Sequence, residues 1–228
     1  MDGSLWPLGN GDGVGKAARA TGAPKAMTAM KRTKTAGRKG MRERSTTSAR
    51  LPATWLVGSG VRLRPVEPSD ARPLQRWLDR PSARQWLSEL LPRAGPQLAW
   101  IAQLATDPAK PSFIIETSLG AQIGLATLSV EGVQAKLGIA IQDTRRVGLD
   151  RCAEAVRLLA DAAFRVLPLQ RIEVRVLPSN EFAVEVYEEA GFSREGVLRK
   201  VAFHAGKARD ELMLSLLWEE WMARRASI

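Results

Sequence analysis

RIEVRVLPSNEFAVEVYEEAGF, residues 171–192, decides the fold, because a strand, a turn and a helix can be read in it with their boundaries. Ile172, Val174 and Val176 alternate with Arg171, Glu173 and Arg175, the period of a strand with one buried face. Pro178 in Leu177-Pro178-Ser179-Asn180 withholds a backbone donor and ends the strand. Ser179 or Asn180 can accept from the first free amides of the following helix and so cap it. That helix runs to Gly191. Along it Ala183, Tyr187 and Ala190 share one face, with Phe182 and Val186 beside them, while Glu181, Glu185, Glu188 and Glu189 face solvent. The unit is α/β, and on these residues alone Tyr187 reads as a packed aromatic with a satisfied hydroxyl.

Working outward, residues 113–117 and 122–130 read as two strands about Leu119-Gly120-Ala121, and Gly132 separates a third over 135–141. Gln142-Asp143-Thr144 leads into a long helix ending near residue 167. Its apolar face is Ala155, Leu158, Leu159, Ala162 and Val166, and Glu154, Arg157, Asp161 and Arg165 form a solvated ladder. Upstream, residues 61–64 form a first strand before Pro65, and Glu67-Pro68-Ser69-Asp70 starts a helix carrying Leu74, Trp77 and Leu78. A second helix over 82–91, with Trp86, and a third over 97–105 follow. Trp77, Trp86 and Trp100 read as core rather than as a cage for substrate. Residues 194–203 and 207–217 form a hairpin around Ala205-Gly206, and a short helix closes the chain.

At 228 residues and 45% hydrophobic, the chain can bury one core and carry a tail. No apolar run reaches the roughly 20 residues that span a bilayer, and the N-terminus lacks the apolar segment of a signal peptide. Cys152, the single cysteine, excludes an internal disulfide and fits a reducing compartment, so a cytoplasmic protein with no membrane partner is expected. Residues 1–50 hold eleven Lys or Arg against three acids, so eight of the ten net positive charges lie there. With few bulky apolar residues they are expected to be a disordered basic tail, and residues 51–228 the folded domain. The segment 10–16, NGDGVGK, fails the spacing of a phosphate loop. Lys31 to Arg44 could bind nucleic-acid phosphates by counterion release. The alternative is a solvated leader, or sequence upstream of a start at Met27, Met30 or Met41.

An Asn opening a helix, Tyr187-Glu188 seven residues on, and Gly191-Phe192 entering a strand together resemble the second half of the GNAT fold. GNAT proteins are acetyl-CoA-dependent N-acetyltransferases, and the chain from about residue 61 to 220 most resembles their RimJ/RimL-like, ribosomal-protein branch. The resemblance implies an α/β (α+β) fold: a mixed, mostly antiparallel sheet of about seven strands with helices on both faces. It implies acetyl-CoA as donor and an amine acceptor entering beside the early helices.

The family's pyrophosphate motif, Gln/Arg-x-x-Gly-x-Gly/Ala, falls on residues 147–152. This chain departs from it with Asp150 and Cys152 at the small positions and keeps only Gly148. A carboxylate there costs of order a kcal/mol or more in a desolvated loop, and Arg145, Arg146 and Arg151 stand near to offset it. The resemblance implies cofactor contacts at Ile139 and Ile141 of the third strand, at Arg146, Val147, Gly148, Leu149, Asp150, Arg151 and Cys152, and at Asn180 and Tyr187. A backbone amide of residues 138–141 would polarise the thioester carbonyl. Tyr187 would protonate the leaving thiolate, a phenol with reference pKa near 10 facing a thiol near 8.5. Asn180 would touch the pantetheine arm or an ordered water. Many relatives carry a Glu base where this chain has Lys136; Glu116 and Glu131 stay open as bases, and His204 reads as a surface residue. No metal site is expected.

These implications point to an N-acetyltransferase of primary amines. The branch implies a protein N-terminus as acceptor, and a polyamine, an aminoglycoside or an amino-acid analogue stays open. The alternative suggested by Asp150, Cys152 and Lys136 is a catalytically impaired GNAT-fold module that binds acyl-CoA or a protein. A nucleic-acid binder working through the tail is a third reading. Monomer and homodimer are both compatible with the sequence.

Overall fold

A computed structural model describes residues 51, 55–79, 97–204 and 206–226. The basic segment 1–50, the expected helix over 82–91 with Trp86, and Ala205 lie outside the described residues. Strands β1 (Leu56–Val57), β2 (Val61–Pro65), β3 (Ser112–Thr117), β4 (Gln122–Glu131), β5 (Gln134–Ile141), β6 (Arg171–Val176), β7 (Ser193–His204) and β8 (Lys207–Leu217) make one sheet in the order β1-β2-β3-β4-β5-β6-β8-β7. Neighbours are antiparallel except β5 and β6. The sheet has eight strands rather than about seven. The added one is β1, two residues long, too short to leave a periodic signature.

Alternation along the strands sorts two cores onto the two faces. Ile114, Leu125 and Ala140, cross-strand neighbours in register, pack with Leu74, Trp77 and Leu78 of α1 (Ala71–Leu78) and with Ile101 and Leu104 of α2 (Gln97–Leu104). On the other face Ile115, Ala126, Leu128 and Leu137 pack with α4 (Leu149–Val166) and α5 (Glu181–Ala190). A one-turn helix α3 (Thr144–Val147) precedes α4, and α6 (Trp218–Arg225) follows β8. No described helix is long and apolar enough to cross a membrane.

Four expectations about exposure change. On α4, Val166 is 39% exposed, while Cys152, Ala153, Val156, Ala160 and Ala163 are buried, because the small residues let the helix lie close to the sheet. Glu154 is no rung of a solvated ladder: it accepts from the Ser59 hydroxyl at 2.7 Å and the Gly60 amide at 3.0 Å, fastening the β1–β2 turn to α4. On β6, Glu173 is buried rather than exposed, with Arg175 at 3.1 Å and Arg171 at 3.6 Å supplying counter-charge. The α5 face likewise buries Val184 and leaves Ala183 half-buried.

Candidate functional site

β5 and β6 pair over only three residues, Gln134–Lys136 against Arg171–Glu173. Beyond them the strands part. The edge of β5 facing β6 from Leu137 to Ile141 therefore has no strand partner, although its other edge pairs with β4 throughout. The gap opens into a cleft of about 1260 Å³.

Asp143 caps α3 by accepting from the Arg146 amide at 3.3 Å. Gly148 then turns the chain at φ 81° and ψ 162°, a left-handed conformation suited to glycine, and α4 restarts at Leu149. The motif region is thus a helix start rather than a loop. The first amides of a helix, here those of Leu149, Asp150 and Arg151, have no intrahelical acceptor and sit at the positive end of its dipole. The Cys152 amide is already spent on the Gly148 carbonyl at 3.3 Å. Cys152 itself is in the core, where burial pushes its thiol up to about 11.

The structure divides the expected cofactor residues. Ile139, Ile141, Arg146, Val147, Cys152, Asn180 and Tyr187 line the cleft. Gly148, Asp150 and Arg151 line a smaller depression beside it, with Ser59, Gly60 and Glu154, and Leu149 packs against the core. The Asp150 side chain is exposed. An acid in the first turn of α4 also suits the helix dipole, which gives this residue a structural reason to be there.

Asn180 is the cap of α5: its side-chain carbonyl accepts from the Ala183 amide at 3.3 Å, which leaves its side-chain amide nitrogen as a donor for the cleft. Tyr187, 5% exposed, packs its ring 5.8 Å from that of Phe192. Trp77 belongs to the core, as expected, yet it also lines the cleft, with its buried indole nitrogen unpartnered among the described residues.

The expected alternative bases stand apart from this site. Glu116 is held by Arg62 at 2.9 Å and Arg64 at 2.8 Å and does not line the cleft. Glu131 sits at the end of β4, 3.7 Å from Lys136. His204, which was not expected to be a base, ends β7 opposite Lys207 in backbone register. Sequence reasoning did not single out Thr127, Ser129 and Glu211, which line the cleft. Thr127 and Ser129 carried a signal, as polar residues alternating with the apolar ones of β4, whereas Glu211 follows Lys207, Arg209 and Asp210 in β8 and is not set apart by its sequence.

The model of the acetyltransferase (GNAT) domain family matches residues 61–193. The chain belongs to the GNAT acetyltransferase family. Among related GNAT sequences, a probable N-acetyltransferase, YjcK, of Bacillus subtilis is 45% identical over 28% of this chain and 35% of its own length. An uncharacterized N-acetyltransferase, p20, of Bacillus licheniformis is 38% identical over 30% of this chain. The matched segments span 35% and 39% of those two relatives. The spermidine N(1)-acetyltransferase of Escherichia coli is 27% identical over 72% of this chain and 89% of its own length. Among solved GNAT structures, the Vibrio cholerae spermidine N-acetyltransferase in complex with CoA and spermine superposes with a TM-score of 0.63 at 24% identity, covering 72% of this chain and 99% of that one. A probable acetyltransferase of Chromobacterium violaceum gives 0.65 at 18% identity, covering 83% and 99%. The likeness to these structures is one of fold. GNAT acetyltransferases use acetyl-CoA, and the parted strands, the free amides at the start of α4 and the Arg145 and Arg146 side chains at the cleft are groups that suit a thioester arm and its phosphates.

Proposed function

We propose that this chain is an acetyl-CoA-dependent N-acetyltransferase acting on a primary amine in the cleft between β5 and β6. The observation that carries the reading is the early parting of those strands, which leaves a β5 edge free beside Tyr187 and Asn180. Bound acetyl-CoA would supply an electrophilic thioester carbonyl. Arg145, Arg146 and the amides of Leu149, Asp150 and Arg151 would hold its phosphates. The free backbone groups between Leu137 and Ile141 would orient the arm and polarise the carbonyl. The Asn180 side-chain nitrogen would donate to the arm, and the Tyr187 hydroxyl would deliver the proton that the departing sulfur needs.

Asp150 does not stand against this reading, since its side chain is exposed to solvent rather than buried against the helix start. Two acceptor classes deserve a direct comparison. One is a protein N-terminus, implied by the RimJ/RimL-like resemblance; the other is a polyamine, named in the relatives that match most of the chain. The test is turnover by the full chain with acetyl-CoA and either trialanine amide or spermidine. Free CoA should accumulate only with amine present, and mass spectrometry should find the acetylated amine. No product from any amine, with acetyl-CoA demonstrably bound, would favour the non-catalytic module.

A further inference from the structure

The apolar alternation of β8, Leu212, Leu214 and Leu216, is preceded by an acid, Glu211, that is 3% exposed. The Glu211 side chain lines the cleft and makes no hydrogen bond or ion pair among the described residues. A buried carboxylate without a partner is costly, and proteins keep one where something else supplies the counter-charge. Cross-strand register places it. Arg175 stands opposite Met213 and Glu173 opposite Ser215, while Lys136 stands opposite Glu173 and Ser129 opposite Lys136. Ser129, Lys136, Arg175 and Glu211 therefore share the sheet face on which α1 and α2 pack, the side at which the acceptor is expected. Arg175 is a diagonal neighbour of Glu211, yet its guanidinium turns to Glu173 at 3.1 Å.

We propose that Glu211 receives the ammonium of the acceptor, and that the site takes an amine with one positive charge in preference to a polyamine. The proposal rests on the acetyl-transfer reading above. The cleft's other described carboxylate, Asp143, is engaged by the Arg146 amide at 3.3 Å and its guanidinium at 3.5 Å. The nearest charged residue to Glu211 in cross-strand register on that face is a cation, Arg175; Lys136 lines the same cleft, and the acids of the face, Glu173 and Glu195, are already engaged by arginines. The second and third charges of spermidine would meet the two cations unfavourably, whereas a peptide N-terminus brings a single charge. Glu211 is thus a binding and specificity residue: the ammonium would lose one proton to solvent before its nitrogen attacks the thioester carbon, and as the carbon–sulfur bond breaks the nitrogen's second proton would replace the one that Tyr187 gives to the sulfur.

The test uses the full chain, the variants Glu211→Gln and Glu211→Asp, and the two amines trialanine amide and spermidine. Glu211→Gln should raise the KM for trialanine amide by about tenfold or more, the loss expected of a charged contact, with kcat changed by less than about threefold. The thermal shift produced by acetyl-CoA should not change, and Glu211→Asp should recover part of the affinity. In the wild type, kcat/KM for trialanine amide should exceed that for spermidine by about tenfold. An unchanged KM in Glu211→Gln, or a preference for spermidine, overturns the proposal. If the wild type acetylates neither amine, the acetyl-transfer reading fails by itself. Glu211 is then judged by the thermal shift from trialanine amide alone: a shift lost in Glu211→Gln supports the ammonium site, and equal or absent shifts overturn it.

Discussion

Arg64 holds Asp70 with two parallel hydrogen bonds, Nη1 to Oδ2 and Nη2 to Oδ1, each 2.7 Å long. The same guanidinium gives Nε to Glu116 at 2.8 Å, and Asp70 also accepts from the Glu67 amide and the Gln122 side chain. One network thus ties the entry of α1 to β2, β3 and β4, and so fixes the wall of the cleft that carries Trp77. Burial alone would raise the Asp70 carboxyl, but these donors outweigh it and hold it below its ordinary value.

A depressed carboxyl stabilises the fold fully above its unfolded pKa, and the contribution is lost as pH falls through the folded one. Urea unfolding should therefore show stability that declines below about pH 4. Asp70→Asn should be less stable at neutral pH by about 3 kcal/mol, the lower end for breaking a buried pair because Arg64 keeps Glu116. The variant should lose less on acidification than the wild type does. A parallel pH profile in the two proteins would contradict the assignment.

Gly148 turns the chain between α3 and α4, and a Cβ there would meet nothing within 4 Å. Gly148→Ala should therefore cost backbone strain alone, about 1–3 kcal/mol for a residue held at positive φ and extended ψ. Thermal unfolding should fall by about 2–12 °C at the usual conversion for chains of this size. A variant as stable as the wild type would mean that the turn relaxes freely.

Tyr187→Phe keeps the ring packed on Phe192 and removes only the hydroxyl. If that hydroxyl is the acid, kcat should drop by about a hundredfold or more while acetyl-CoA binding persists. Pre-steady-state measurement of CoA release would separate the two. Undiminished kcat would remove Tyr187 from the chemistry.

Much of this was legible from local signals. The β6–turn–α5 unit is present with its Asn180 cap and Gly191 stop, because strand period, Pro178 and cap chemistry act over a few residues. The meander β3–β4–β5 and the closing hairpin follow from the same signals. What escaped depends on distant partners. The burial of Glu173 needs two arginines on its own strand turned toward it, and the fastening of Glu154 needs a turn 95 residues away. The helix start at Leu149 was obscured because Gly148 alone interrupts a nearly continuous helix from Thr144. Glu211 reads as one charge in a strand until β6 and β8 are laid side by side.

The most direct measurement is thermal unfolding of the full chain with and without millimolar acetyl-CoA. A ligand at a hundred times its dissociation constant stabilises by about 2.7 kcal/mol, which a melting curve resolves readily. The account predicts a clear upward shift that is diminished in Gly148→Ala and retained in Glu211→Gln. No shift in the wild type would contradict the claim that the cleft between β5 and β6 binds acetyl-CoA.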